Sequence, residues 1–301
     1  MKPRSIRCAL RKASRRFGLA LVTLGLTVAA AGALAAVPGA EAPNPQSLAP
    51  LRPAALDCDR RLGSASFLLT DGAGHTLAAL RPDAPRPVGS ITKLMTARIV
   101  LKAGGLGKQI TVPPLRLHPD ESRAGLRHGM RLTRRMAISA LLVPSGNDAA
   151  EALAATGGFA RAGFVRAMNR EAARLGLTHT TYANPSGIPD PAQASTARDS
   201  LRLARVLMRD GRFRAIVRQR SVRLGEKVLA TRNPLLGRVP GVDGVKTGTL
   251  NGDFSIVVSA TGRGGRVFAA ALGAPSAQVR ERDAQCLLSV GRRMLTTPRQ
   301  G

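Results

Sequence analysis

Two short stretches of this sequence set a hydroxyl beside an amine. In "PVGSITKLMT" Ser90 precedes Lys93 by three positions, and in "VDGVKTGTL" Lys246 is followed directly by Thr247 and Gly248. The amines stand out because the chain otherwise writes positive charge as arginine: of 46 basic residues only Lys2, Lys12, Lys93, Lys102, Lys108, Lys227 and Lys246 are lysine. A desolvated amine can lose its proton near neutral pH, whereas a guanidinium does not. Ser90 and Lys93 therefore offer a nucleophile with its own base, since a serine hydroxyl attacks poorly until an adjacent group takes its proton. An ordinary lysine snorkelling to the surface is the competing reading. A third stretch, "LLVPSGNDAAEALA", sets Ser145, Gly146 and Asn147 in a tight turn between apolar helices, where hydroxyl and amide groups also serve as caps. At Gly248 a ligand could approach the backbone closely, although a lysine on a strand can simply guard a sheet edge.

The elements that must position these groups follow from hydrophobic period and punctuation. Pro87-Val88-Gly89 before Ser90 and Gly104-Gly105 beyond it predict a helix over residues 91–103. A spacing of three then puts Ser90 and Lys93 on one face, one turn apart. That helix is apolar on most sides, so it is expected to be buried, and burial lowers a lysine pKa. Further helices are expected over residues 133–142, 148–155, 159–175 and 197–208, and a last one at about 277–295. "SASFLLT" and "HTLAAL" around "DGAG" predict one hairpin, and "FSIVVSA" and "RVFAAALGA" around "TGRGG" another. Strands at both ends with helices between predict an α+β fold: an antiparallel sheet formed by both chain ends, with an inserted helical lobe.

Residues 1–35 read as a signal peptide. Seven basic and no acidic residues accompany an apolar run over residues 17–36, with Ala33-Leu34-Ala35 as a cleavage pattern. "SRRFGLA" within it resembles a twin-arginine export signal. The protein is thus expected to be exported, periplasmic or secreted. A Pro/Ala-rich linker over residues 36–57 precedes a catalytic domain over residues 58–301. Cleavage after Ala35 leaves 46 − 7 = 39 basic against 18 acidic residues. With one Tyr and no Trp, this charge fits anionic envelope polymers better than nucleic acid. Cys58 and Cys286, near opposite ends of an exported domain, are expected to form a disulfide, with unrelated buried thiols as the alternative. Neither these cysteines nor the four scattered histidines have metal-site spacing, so no metal or cofactor is expected.

In this order S-x-x-K, S-x-N and K-T-G are the motif set of penicillin-binding proteins and serine β-lactamases. The neighbouring segments "MNREAARLGLTHTTYANPSGIPD", "STARDSLRLARVLM" and "VPGVDGVKTGT" closely resemble the low-molecular-weight D-alanyl-D-alanine carboxypeptidases, from about Ser64 to Leu295. The resemblance implies a transpeptidase-like fold and a serine carboxypeptidase that removes the terminal D-Ala from peptidoglycan stem pentapeptides, acts in cell-wall remodelling and is inhibited covalently by β-lactams. It implies Ser90 as acylated nucleophile, Lys93 as general base and Ser145 as proton relay to the leaving group. Asn147 would bond the substrate amide, Lys246 and Thr247 would hold its terminal carboxylate beside Gly248, and the N–H groups of Ser90 and Thr249 would form the oxyanion hole. Three departures stand out. The Ser90 to Ser145 interval is short, so rim loops around residues 123–128 are expected to differ. "LNGDFS" after Thr249 lacks the usual aromatic or histidine. The catalytic domain is expected to run to the end of this sequence, without the C-terminal β domain and membrane-binding helix of many relatives.

A class A β-lactamase would need a glutamate about 35 to 40 residues beyond the second motif to activate the deacylating water, and there the chain reads "TYANPSGIPDPAQ". A non-catalytic envelope-binding module would have no need to keep Ser90, Lys93 and Lys246, and all three are present.

Overall fold

The computed structural model describes residues 62–118, 121–156 and 161–297. The leader, the linker and Cys58 lie outside them; Cys286 is disulfide-bonded. The chain opens with a hairpin of β1 (Ser66–Asp71) and β2 (Thr76–Leu80), its turn held by Asp71 Oδ1, which accepts from the N–H of Gly74 and His75 at 2.6 and 2.8 Å. A 3₁₀ turn, Gly89–Thr92, runs directly into α1 (Lys93–Ala103). A small hairpin of β3 (Gln109–Thr111) and β4 (Arg131–Thr133) leads to α2 (Arg134–Leu142), α3 (Asn147–Thr156), α4 (Arg161–Arg174), α5 (Ala197–Leu207) and α6 (Gly211–Val217). The hairpin β5 (Ser221–Leu224) and β6 (Lys227–Ala230) follows. Then come β7 (Val242–Leu250), β8 (Asp253–Gly262), β9 (Gly265–Ala274) and α7 (Ala277–Thr296).

The main sheet has the order β2-β1-β9-β8-β7, antiparallel throughout. β1 pairs with β9, Leu69 opposite Ala269, so strands from near both ends of the described residues meet in one sheet, as expected. The period of two divides the strand side chains between two cores. Phe67, Leu69, Ile256, Val258, Ala269 and Ala271 face a cluster containing Leu287 and Leu288 of α7, whereas Leu68, Val257 and Ala270 join the larger core of the helical lobe. Burial on both faces is why "FSIVVSA" and "RVFAAALGA" read as continuous apolar runs. Leu69 and Leu287 are both fully buried, 0 % exposed, and truncating either to alanine costs about 2–5 kcal/mol.

Helix starts follow local chemistry. Thr133, Thr196 and Ser276 cap α2, α5 and α7, their hydroxyl oxygens accepting from the N–H of Met136, Asp199 and Val279. The helix expected over residues 91–103 begins instead as the 3₁₀ turn, so Ser90 stands on a tighter turn than Lys93 does. The small hairpins and α6 were not expected. Three- and four-residue strands are too short to display a period, and α6 has only seven residues.

Candidate active site

Lys93 is wholly buried, 0 % exposed. Its Nζ donates to Ser90 Oγ at 2.7 Å, Asn147 Oδ1 at 2.6 Å and the Ser186 carbonyl at 2.7 Å. Burial pushes this amine down from its ordinary value to about 7, against the nearby carboxylates of Glu121, Asp148 and Glu151, which favour the charged form. The three partners fix what the neutral amine can do. Two are carbonyl oxygens that only accept, so they hold the two remaining N–H groups. The lone pair is left for the hydroxyl of Ser90.

Ser186 was not identified from sequence, because it contributes a main-chain carbonyl. Asn184 Oδ1 accepts from the N–H of Gly187 and Ile188 at 2.7 and 3.2 Å, and Thr96 Oγ1 of α1 donates to the Pro185 carbonyl at 2.6 Å. These bonds turn the segment over the start of α1. The fit leaves no room for a side chain at two glycines. A Cβ on Gly187 would lie 2.0 Å from the Gly89 carbonyl oxygen, and one on Gly248 would lie 2.2 Å from that of Val88.

The S-x-N turn lies between α2 and α3, with Ser145 in left-handed backbone at φ 66°. Lys246, on β7 and 1 % exposed, donates to Ser145 Oγ at 2.8 Å and to the Thr247 carbonyl at 2.8 Å. Burial, then the positive charges of Lys93, Arg232 and Arg280, hold its pKa well below the ordinary lysine value. The structure thus brings Ser90, Lys93, Ser145, Asn147, Lys246 and Thr247 into one cluster.

Ser90, Ser145, Thr247 and Thr249 line a cleft of 730 Å³. Lys246 lies behind this wall, and Arg232 and, from α7, Arg280 line the cleft at that end, neither of them picked out by sequence reading. The Cζ of Arg280 sits 5.8 Å from the ring centroid of Phe254, the cross-strand partner of Thr249. Arg280 is 7 % exposed, and its Nε is buried with no hydrogen-bond partner among the described residues. Phe254 also lines the cleft, so β8 places an aromatic side chain there although "LNGDFS" has none directly after Thr249.

The rim ahead of α3 is stitched to it. Asp148 accepts from the N–H groups of Ala124, Gly125 and Leu126 at 2.7 to 2.9 Å, and Asn147 N–H donates to the Ser122 carbonyl at 2.8 Å. The loop expected to differ, around residues 123–128, is therefore anchored by a carboxylate one residue beyond the motif.

A cleft-lining serine bonded to a buried lysine on an α+β scaffold defines the class, and comparison with known proteins gives the family. The family model for D-alanyl-D-alanine carboxypeptidases, peptidase S11, matches residues 54–276, and this chain belongs to that family. It is 32 % identical over 249 residues to the D-alanyl-D-alanine carboxypeptidase of Streptomyces sp. strain K15, spanning 75 % of this chain and 85 % of that one. The crystal structure of the Streptomyces K15 DD-transpeptidase matches with a TM-score of 0.73 at 28 % identity, over 78 % of this chain and 98 % of that one. Penicillin binding protein 6B of Escherichia coli matches with a TM-score of 0.73 at 30 % identity, over 78 % of each chain.

Proposed function

We propose that this protein is a serine D-alanyl-D-alanine carboxypeptidase that trims peptidoglycan stem pentapeptides through an acyl-enzyme on Ser90. The observation that carries the reading is the 2.7 Å contact between Ser90 Oγ and a buried Lys93 whose pKa is lowered to about 7. Neutral Lys93 takes the hydroxyl proton as Ser90 attacks the carbonyl of the penultimate D-Ala. The N–H groups of Ser90 and Thr249 receive the oxyanion. Ser145 passes a proton to the departing D-Ala amine, and the proton that Lys93 took from Ser90 returns through the Ser145–Lys246 pair, 2.8 Å apart, so that Lys93 is neutral again when deacylation begins. Arg280, with Thr247 and Thr249, holds the terminal carboxylate in the cleft, and Lys246 behind them adds positive potential. Asn147 bonds the peptide amide through its remaining Nδ2 hydrogen.

Deacylation then falls to water activated by Lys93 and Ser145. Where a class A β-lactamase was expected to carry its glutamate, this chain offers Lys93 the Ser186 carbonyl instead. The small D-Ala leaves and opens a path for water, whereas the tethered leaving group of a penicillin obstructs it. The working enzyme is exported, periplasmic or secreted, and "SRRFGLA" supports the twin-arginine route. No helix among the described residues is long and apolar enough to cross a membrane. The excess of basic residues supports attraction to anionic envelope polymers.

Mass spectrometry after incubation with a penicillin, paired with release of D-alanine from a stem pentapeptide, tests the reading. One adduct on the Ser90 peptide and steady D-alanine release are expected. Rapid turnover of penicillin without D-alanine release would assign the chain to the β-lactamases.

A further inference from the structure

Among the described residues, Glu121 is the one carboxylate that both lines the cleft and reaches the serine–lysine pair through a single intervening side chain. Its Oε2 accepts from Asn147 Nδ2 at 2.7 Å, and its Oε1 accepts from the N–H of His118 at 2.8 Å, so both oxygens are held. Asn147 Oδ1 in turn accepts from Lys93 Nζ at 2.6 Å, and Lys93 reaches Ser90. A continuous path results: carboxylate, amide, amine, hydroxyl.

Resting on the acyl-transfer reading above, we infer that Glu121 is a positioning residue that sets the amide orientation of Asn147 and, through it, the direction in which Lys93 accepts the proton of Ser90. An asparagine side chain has two orientations, related by exchange of its oxygen and nitrogen. A carboxylate can only accept, so it faces Nδ2 and obliges Oδ1 to face Lys93. In the reverse orientation an N–H would point at the amine, where it would repel the ammonium or occupy the lone pair that Ser90 needs.

The negative charge has a second effect. Among the ionised groups around Lys93, Glu121 opposes the desolvation of the amine most strongly, followed by Asp148 and Glu151; Lys246, behind the Ser145 turn, acts in the other direction. Asp148 is occupied by backbone N–H groups of the rim and of Ala149, and Glu151 accepts from Ser186 Oγ at 3.4 Å. On the rim itself lie Arg123, whose Nη2 donates to the carbonyls of Leu117 and His118, and the imidazole of His118. Glu121 is thus the carboxylate that combines charge with control of Asn147.

The test is the pH profile of acylation by a penicillin, measured on wild type, Glu121→Gln and Glu121→Asp. In Glu121→Gln the acidic limb should move down by about one pH unit, the size expected for loss of one neighbouring charge, while the plateau rate falls at least tenfold as Asn147 loses its orientation. Glu121→Asp keeps the charge and should return the limb to its wild-type position. A purely structural role would lower the melting temperature without moving the limb. If Glu121→Gln acylates with the wild-type profile and plateau, the assignment is wrong. If wild type itself shows no acylation, the acyl-transfer reading fails first, and the two failures are told apart by that control.

Discussion

Ser145 and Lys246 lie 101 residues apart in the chain and share a 2.8 Å hydrogen bond that ties the turn between α2 and α3 to strand β7. The amine donates and the hydroxyl oxygen accepts, which leaves the hydroxyl proton free to point into the cleft. Ser145→Ala should therefore lower the acylation rate by about 100- to 10,000-fold, the range for a positioned proton-transfer group. The melting temperature should change little, because one small side chain is lost. Penicillin labelling followed by stopped flow measures the rate, and wild-type acylation in Ser145→Ala would remove it from the proton path.

Acylation should rise with pH through about 7, because only the neutral form of Lys93 accepts a proton and burial has brought its pKa down to that value. Lys93→Arg keeps the charge but has no accessible neutral form, so it should lose nearly all labelling while remaining folded. A well-folded Lys93→Arg protein that still labels would refute the assignment of the base.

Arg280 sits at the Thr249 end of the cleft beside Phe254, desolvated and with Glu281 as its charged neighbour. Arg280→Leu should raise KM for a stem pentapeptide about tenfold or more, as expected for loss of a charge-assisted bond. The same substitution should have little effect on a peptide whose C-terminus is an amide. Equal losses on both substrates would show that Arg280 does not hold the carboxylate.

Glu171, 4 % exposed, ties α1 to α4 by accepting from Arg98, Lys102 and Arg174 at 2.6 to 2.9 Å. Hydrogen bonds from Arg174, with those from Lys102 and Arg98, hold its carboxyl well below the usual range despite burial. A depressed carboxylate pKa stabilises the fold above the unfolded value and is lost as pH falls. Glu171→Gln should cost about 1–2 kcal/mol near neutral pH, a figure reduced because its cationic partners are partly exposed. The difference from wild type should shrink below about pH 4, where glutamate in the unfolded chain is protonated. Thermal melts at two pH values decide it, and a gap that stays constant would contradict the ion-pair account.

The chemistry was legible where it rests on side chains at short range. Ser90 and Lys93 fall one turn apart, and the scarcity of lysine singled out Lys93 and Lys246 among so many arginines. The strands also declared themselves, since burial on both faces writes an apolar run. What escaped was of two kinds. The Ser186 carbonyl acts through its main chain, which every residue possesses, so no residue type marks it. Glu121 and Arg280 reach the site only because Asp148 folds the rim onto α3 and because α7 follows β9 across the sheet. Such relations depend on tertiary structure, and in the sequence each residue looks like one more surface charge.

The pairing of β1 with β9 has a consequence for the order of events when the chain is made. The first strand of the sheet emerges early but has its second neighbour only when residues 265–274 exist, so its apolar residues must wait through synthesis of the entire helical lobe. Contacts between such distant segments close slowly, and an unpaired strand edge invites association with other chains in the interval. Ser90 and Lys93 are likewise present long before Thr249. A partly synthesised chain would carry a nucleophile without the strand that completes its site. Enzymatic competence then comes with the last strands of the sheet, which keeps an unfinished chain inert.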